Sequence, residues 1–121
     1  MNDYQLGVVE ARFAEIIWEK EPISSTELCR QSEQLLQWKK STCYTVLKRL
    51  CHKGIFQNNG GCVTSRISKE EFQALQSERF VEESFGGSLP AFLTAFTARK
   101  NLTAQEVQEL RNLIEGYEEK N

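Results

Sequence analysis

The sequence predicts a mainly α-helical protein that carries one small β-hairpin and ends in a helical C-terminal region. Three observations predict this fold class. Boxes of the form Ser/Thr-x-x-Glu, flanked by apolar residues, mark helix starts three times. Apolar residues recur at spacings of three and four along most of the chain. Residues 55–67 alone change to short strand-like runs around an Asn-Asn-Gly-Gly cluster.

Length and composition describe a soluble globular protein. The chain has 121 residues, of which 40% are hydrophobic and 26% charged, enough for one domain or a small domain with an appendage. Its longest uncharged stretch, residues 84–98, is interrupted by two glycines and a proline, whereas a membrane-spanning helix needs about 20 apolar residues. The N-terminus has no apolar signal-peptide region. We therefore expect a cytoplasmic location, where the four cysteines are reduced thiols.

The first two helices are predicted on either side of Pro22. The first carries one apolar stripe, which consists of Leu6, Val9, Phe13, Ile16 and Ile17. Pro22 ends this helix because it restricts the backbone of the residue before it. The second helix begins at a capping box, in which the Ser24 hydroxyl accepts from the Glu27 N–H and the Glu27 side chain returns to the Ser24 N–H. Ile23 and Leu28 are spaced as its hydrophobic staple.

A third helix is predicted over residues 41–53, and it has two distinct faces. Gly54 is its C-terminal cap candidate. One stripe is apolar and consists of Cys43, Val46, Leu47 and Leu50. A second stripe is polar and basic and consists of Ser41, Tyr44, Thr45, Lys48 and His52. The first stripe is expected to pack inward and the second to point elsewhere.

After this helix, residues 55–57 and 62–67 read as two strands of a hairpin whose Asn/Gly turn supplies positive φ angles. Boxes at Ser68–Glu71 and Thr103–Glu106 begin two further helices, and a short helix starts near Ser88 and Pro90. These three helices carry more large apolar side chains than they can bury alone, so we expect a homodimer. The predicted dimerisation residues are Phe80, Leu89, Phe92, Leu93, Phe96, Leu102, Val107, Leu110, Leu113 and Ile114.

The charges are segregated along the chain although the net charge is only −2. Residues 1–33 hold seven acids and three bases, and residues 70–121 hold ten acids and five bases. Residues 34–69 hold seven bases and no acid. Such a block is typical of an anion-binding surface, for which nucleic acid is the commonest partner. The alternative is a solvated basic face that pairs with its acidic neighbours.

Three helices with a basic third helix, followed by a hairpin, form the order of a winged helix-turn-helix. The sequence thus predicts a DNA-binding domain over residues 1–69 and a helical dimerisation domain over residues 70–121. In this arrangement the third helix enters the major groove of double-stranded DNA, and two copies face half-sites one helical turn apart. The wing lies beside that helix near the phosphates.

The candidate DNA contacts fall into two groups. The groove candidates are Ser41, Thr42, Tyr44, Thr45 and Lys48. The phosphate candidates are Lys39, Lys40, Arg49 and Lys53. For Arg49 a structural role competes, because it could pair with an acid of the flanking segments. Trp18 and Trp38 are expected to pack in the core.

No catalytic residue, metal site or cofactor is predicted. Motifs for nucleotide or acyl chemistry are absent from the sequence, and His52 is the only histidine. The cysteines at 29, 43, 51 and 62 have no Cys-x-x-Cys spacing, so a zinc site is not expected. Cys43 is expected to be a small core residue, with a thiol redox switch as the alternative.

The chain also resembles the penicillinase-repressor family of winged-helix transcriptional repressors, over nearly its whole length. The matching residues include Glu10, Ile16-Ile17-Trp18, Ile23-Ser24, Glu27-Leu28, Trp38, Thr42, Thr45, Leu47, Arg49-Leu50, Lys53-Gly54, Gly86-Gly87-Ser88-Leu89, Leu102-Thr103, Glu106-Val107 and Glu109-Leu110-Arg111. The resemblance implies a homodimeric bacterial repressor that binds a palindromic operator. It further implies relief of repression by cleavage in the C-terminal region, triggered by a membrane sensor protease, with Ala95–Phe96 aligned to the scissile bond.

The chain departs from the family pattern in its wing and on its third helix. Its wing is shorter than usual and has no base between Lys53 and Arg66. The family's basic residues on the base-reading stripe are replaced here by Ser41 and Tyr44. These departures motivate an alternative function, a winged-helix adaptor that binds proteins and no longer binds DNA. The copper-responsive branch of the family has a cysteine cluster in its tail, whereas this chain has no cysteine after Cys62.

Overall fold

The structure, a computed structural model, describes residues 4–117. Residues 1–3 and 118–121, which belong to the two predicted domains, lie outside this range. Within it the elements are α1 (Val8–Lys20), β1 (Ile23–Ser24), α2 (Ser25–Leu36), α3 (Lys40–His52), β2 (Phe56–Asn59), β3 (Cys62–Ser65), α4 (Lys69–Phe85), α5 (Leu89–Arg99) and α6 (Ala104–Glu115). This order confirms the predicted fold class. The chain divides into two compact units between Arg79 and Phe80, inside α4.

The sheet contains one strand more than the predicted hairpin. β1 pairs antiparallel with β3, through Ile23 opposite Val63 and Ser24 opposite Cys62, and the strand order is β1-β3-β2. The expectation of two strands was therefore incomplete. A two-residue strand shows no alternation in the sequence, and its pairing depends on residues some 40 positions away.

The hairpin turn is tighter than the sequence suggested. Only Gly60 and Gly61 form it, with φ angles of +59° and +93°, which glycine adopts without steric cost. Asn58 and Asn59 belong to β2 rather than to the turn. The Gly61 N–H donates to Asn58 Oδ1 at 3.0 Å, so Asn58 still supports the turn from within the strand.

The three predicted helix caps form, and one of the predicted boxes closes completely. Thr103 and Glu106 exchange both bonds, at 3.0 and 2.9 Å. Ser24 Oγ accepts from the Glu27 N–H at 3.1 Å, but the Glu27 carboxylate turns to Arg30 and not to the Ser24 N–H. The expected return bond at Ser24 was thus wrong. The hydrogen bond from Arg30 lowers the pKa of Glu27 to about 2.

The core of the first unit lies between α1, α2, α3 and the sheet. The apolar stripe of α3 is entirely buried, as predicted. On α1, however, Val9 is 47% exposed although the sequence placed it on the inward stripe. Trp18 Nε1–H donates to the Ile67 carbonyl at 3.1 Å, and the Trp38 ring lies 5.1 Å from that of Phe13. Both tryptophans therefore pack, as expected.

The second unit is formed by helices that bury little on their own. Neither α5 nor α6 has a buried residue. Phe80, Phe85, Phe92 and Phe96 form an aromatic cluster with ring centroids 5.5 to 6.0 Å apart. Ser88 caps α5 by accepting from the Ala91 N–H at 3.1 Å. Among the described residues no helix is both long and apolar enough to cross a bilayer.

Candidate nucleic-acid interface

The connection between α2 and α3 fixes which face of α3 is exposed. Gln37 caps the C-terminus of α2, and its φ of +59° places it in the left-handed region and turns the chain sharply. Trp38 then anchors the connection on Phe13. Lys39 is the N-terminal cap residue of α3, and Lys40 is its first residue. The four buried residues of α3 therefore force its opposite side into solvent.

Seven of the nine DNA-contact candidates are exposed on that side of α3 or at its start. They are Lys39, Lys40, Ser41, Thr42, Thr45, Lys48 and Arg49. The Thr45 hydroxyl donates to the Ser41 carbonyl at 2.9 Å and keeps its acceptor capacity free for a ligand. This surface, which we call the α3 face, presents ammonium donors and hydroxyl groups together, and such groups contact both phosphates and base edges.

Tyr44 differs from its neighbours because its hydroxyl is engaged within the protein. It is half-buried, and its hydroxyl donates to Ser25 Oγ at 3.4 Å, at the start of α2. Its ring lines a groove of about 340 Å³ between α3 and β2, together with Leu47, Lys48, Cys51 and Asn58. Tyr44 is thus positioned at the boundary between the α3 face and the wing.

Arg49 makes the competing ion pair that the sequence had left open. Its Nη1 lies 2.7 Å from Glu10 Oε2 on α1. Burial raises the pKa of Glu10, but the hydrogen bonds from Arg49 and from the Gly7 N–H outweigh it, and the net pKa is lowered. Lys53 Nζ donates to the Gln5 carbonyl at 2.7 Å. Both bases therefore tie the end of α3 to the start of the chain.

Replacing Glu10 by Gln is expected to destabilise the protein by less than about 1 kcal/mol at neutral pH, because Arg49 is about half exposed. The folded-state pKa of Glu10 lies below its ordinary value of 4.5, so its stabilisation is present above that value and is lost as the pH falls through the folded pKa. Urea denaturation of both proteins from neutral to acidic pH measures this difference. Glu33→Gln, an exposed carboxylate without an ion pair in the described structure, is the control.

The remaining bases of the acid-free segment divide into paired and unpaired groups. Lys69 pairs with Glu15. Among residues 4–117, Lys39, Lys40, Lys48 and Arg66 have no ion-pair partner. Arg66 is exposed directly after β3 and was not among the predicted contacts. The sequence feature that could have indicated Arg66 as a DNA contact is that it is the only base in residues 55–67, which form the predicted hairpin. The alternative of a basic face that pairs with its acidic neighbours thus describes two of the seven bases, Arg49 and Lys69, while Lys53 donates to a backbone carbonyl.

The predicted dimerisation residues leave an apolar surface on the second unit. Phe80, Leu89, Phe96, Leu113 and Ile114 are 43 to 68% exposed. The others are half-buried, and they are Phe92, Leu93, Leu102, Val107 and Leu110. A groove of about 320 Å³ between α5 and α6 is lined mainly by these apolar residues. Ala95 and Phe96, at the predicted cleavage bond, lie exposed in the middle of α5.

A family model described as the penicillinase repressor matches residues 6–116. The chain belongs to the penicillinase repressor family. Members of this family are transcriptional repressors, and the match covers α1 to α6. The resemblance stated from individual residues is thereby confirmed.

Relatives of the penicillinase repressor family align with nearly the whole chain. The methicillin resistance regulatory protein MecI of Staphylococcus aureus strain Mu50 is 24% identical over 115 residues, which cover 92% of this chain and 94% of the relative. The penicillinase repressor of Bacillus licheniformis is 26% identical over 117 residues, with 93% and 91% covered. The penicillinase repressor of Staphylococcus aureus is 22% identical over 120 residues, with 96% and 95% covered.

Proposed function

We propose that the chain is a bacterial transcriptional repressor that binds a palindromic operator of double-stranded DNA as a homodimer in the cytoplasm. One observation carries the proposal. The α3 face presents three lysines without ion-pair partners in the described structure, beside exposed hydroxyl groups, within a segment that holds no acid. A basic surface whose lysines are not paired with acids is electrostatically complementary to a polyanion.

The roles of the side chains follow from their positions. Ser41, Thr42, Thr45 and Lys48 reach base edges in the major groove, with Tyr44 beside them at the edge of the wing. Four bases contact phosphates, which fix the position of the protein without reading sequence, and they are Lys39, Lys40, Arg49 and Lys53. Arg49 and Lys53 already bind the Glu10 carboxylate and the Gln5 carbonyl, so a phosphate must compete with these contacts. Their contribution to the DNA-binding free energy is therefore small.

The N-terminal and C-terminal parts of the chain have different roles. Residues 1–69 form the DNA-binding domain and residues 70–121 the dimerisation domain, with no cofactor or metal required. Support for the dimer comes from α5 and α6, which keep their large apolar side chains half-buried or exposed in the single chain. Covering them with a second copy removes apolar surface from water, the main driving force of association.

A gel-shift titration against the intergenic DNA beside the protein's own gene tests the proposal. Binding should weaken with salt, and log K should fall against log salt with a slope of about −0.9 for each phosphate neutralised. If the protein shows no salt-sensitive binding to that DNA at low ionic strength, the repressor proposal is wrong. The same result would favour the adaptor, whose motivating observation is a wing without any charged residue from 54 to 65.

Relief of repression is proposed to follow cleavage of the Ala95–Phe96 bond by a membrane sensor protease. The bond lies inside α5, whereas proteases act on chains that have opened locally, so the middle of α5 must unwind before it is cut. The absence of any buried residue on α5 makes that opening inexpensive.

Cells grown with an inducer should therefore contain a fragment that ends at Ala95, and mass spectrometry of the purified repressor measures it. Replacing the exposed Ala95 by Pro should keep the protein intact in these cells, because proline removes a backbone N–H and fixes φ at the cleavage position. Ala98→Ser, two positions beyond the bond on the same helix, is the control that should still be cut. Full derepression with only intact protein present would contradict the proteolytic route.

A further inference from the structure

Two of the four cysteines meet inside the helix pair that carries the α3 face. Cys29 on α2 and Cys43 on α3 place their Sγ atoms 2.7 Å apart. Both side chains are buried, with 6% and 0% of their surface exposed. Cys51 and Cys62 lie elsewhere, half-buried on α3 and exposed on β3. The sequence predicted a small core residue at Cys43, with a thiol redox switch as the alternative, but a spacing of 14 residues did not indicate Cys29 as its partner.

We propose that Cys29 and Cys43 are an oxidisable dithiol, which hydrogen peroxide converts into an intramolecular disulfide that links α2 to α3. The geometry carries this step. The two sulfur atoms already face each other, and less than about 1 Å of movement separates them from the roughly 2.05 Å of a disulfide bond. Peroxide is the oxidant of choice because the pair is almost closed to solvent, and a bulky disulfide such as oxidised glutathione could not reach it.

The reaction balances in two steps. The sulfur of Cys29 attacks one oxygen of the peroxide, the O–O bond breaks, and the second oxygen leaves as water while Cys29 becomes a sulfenic acid. The sulfur of Cys43 then attacks the Cys29 sulfur, the S–O bond breaks, and the hydroxyl leaves as a second water with the thiol proton of Cys43. The two thiols lose two electrons and two protons, and one peroxide is reduced to two waters.

The order of these steps follows from the surroundings of each thiol. Cys43 is completely buried, and burial, followed by the hydrogen bond with Cys29, raises its pKa to about 12. A hydrogen bond with the side chain of Ser32 opposes this rise without cancelling it. Cys43 is therefore a protonated thiol at neutral pH and a poor first nucleophile. Cys29, which retains some exposure, meets the oxidant first, and Cys43 resolves the sulfenic acid.

The full chain can be tested directly because trypsin places its four cysteines on different peptides. Native reduced protein is treated with hydrogen peroxide, alkylated in denaturant and digested without reductant. The expected product is a cross-linked pair of peptides 21–30 and 41–48 that has lost two hydrogen atoms, and dithiothreitol should separate the two. The midpoint of thermal unfolding should rise by several degrees after oxidation, because the cross-link restricts the unfolded chain.

Cys43→Ala is the matched variant, because a small apolar residue replaces the resolving thiol. In this variant Cys29 should stop at the sulfenic acid and become labelled by dimedone, whereas Cys62→Ser should still form the cross-link. The proposal is overturned if Cys29 and Cys43 both stay alkylatable while the exposed Cys62 is oxidised. It is equally overturned if Cys29 proceeds to a sulfinic acid or joins Cys51 or Cys62 instead. If Cys43→Ala does not fold, the peptide map of the unaltered chain tests by itself whether Cys29 and Cys43 form the cross-link.

Discussion

Replacing Lys39, Lys40 and Lys48 together by alanine is expected to lower the affinity for operator DNA by roughly two to three orders of magnitude at physiological salt. All three side chains are exposed and have no ion-pair partner within residues 4–117, so none loses a protein contact when it binds a phosphate or a base. The slope of log K against log salt should become shallower by about two units for each bound protomer, because Lys39 and Lys40 each neutralise one phosphate whereas Lys48 reaches a base edge. Gel shifts or fluorescence anisotropy at several salt concentrations measure both quantities.

The matched control removes the same charge from outside the acid-free segment. Arg12, Lys20 and Lys100 are exposed, and none of them forms an ion pair in the described part of the chain. Their triple alanine variant should keep the salt slope of the unaltered protein. If both triple variants lose affinity equally, net charge rather than the α3 face governs binding. Unchanged unfolding curves for both variants exclude a loss of fold as the cause.

The α3 face could be predicted from sequence because the signal lies within one helix. The spacing of Cys43, Val46, Leu47 and Leu50 determines which side is buried, and the opposite side is then exposed by geometry alone. The helix caps were predictable for the same reason, since a cap joins residues three positions apart.

Contacts between distant segments could not be predicted in this way. The partner of Arg49 is Glu10, 39 residues earlier, and the sequence alone predicted a phosphate contact for Arg49 with an ion pair as the alternative. The pairing of β1 with β3 and the meeting of Cys29 with Cys43 have the same origin. Each depends on how α1, α2 and α3 pack together, and the packing of separate elements leaves no periodic trace in any one of them.

The dimerisation residues lie between these two cases. The apolar stripe of α6 was visible as a helical period, and the structure shows that the single chain leaves this stripe partly or fully exposed. A stripe with this period normally marks the side of a helix that is covered. We propose that a second copy of the chain covers it, because that copy would supply an identical stripe through a two-fold axis.

Replacing Leu113 and Ile114 together by Glu is expected to convert the dimer into a monomer, with the dimer dissociation constant raised by at least roughly 100-fold. Both side chains are about two-thirds exposed in the single chain, at 67% and 68%, so the monomer can solvate the new carboxylates without loss of fold. In a dimer the same carboxylates would be desolvated against apolar groups. Sedimentation equilibrium over a range of protein concentrations measures the change.

Gln105→Glu with Asn112→Glu is the control, because these exposed residues lie on the opposite side of α6 from Leu110 and add the same charge. This variant should remain dimeric. The monomeric variant should also bind the operator more weakly by a factor of roughly 10² to 10⁴, since each α3 face would then bind its half-site without the effective concentration that a linked partner provides. Dimerisation and operator affinity must fall together, because the α3 face itself is untouched by the substitutions. A monomer that still binds the full operator with unchanged affinity would show that the two half-sites are not read by one dimer.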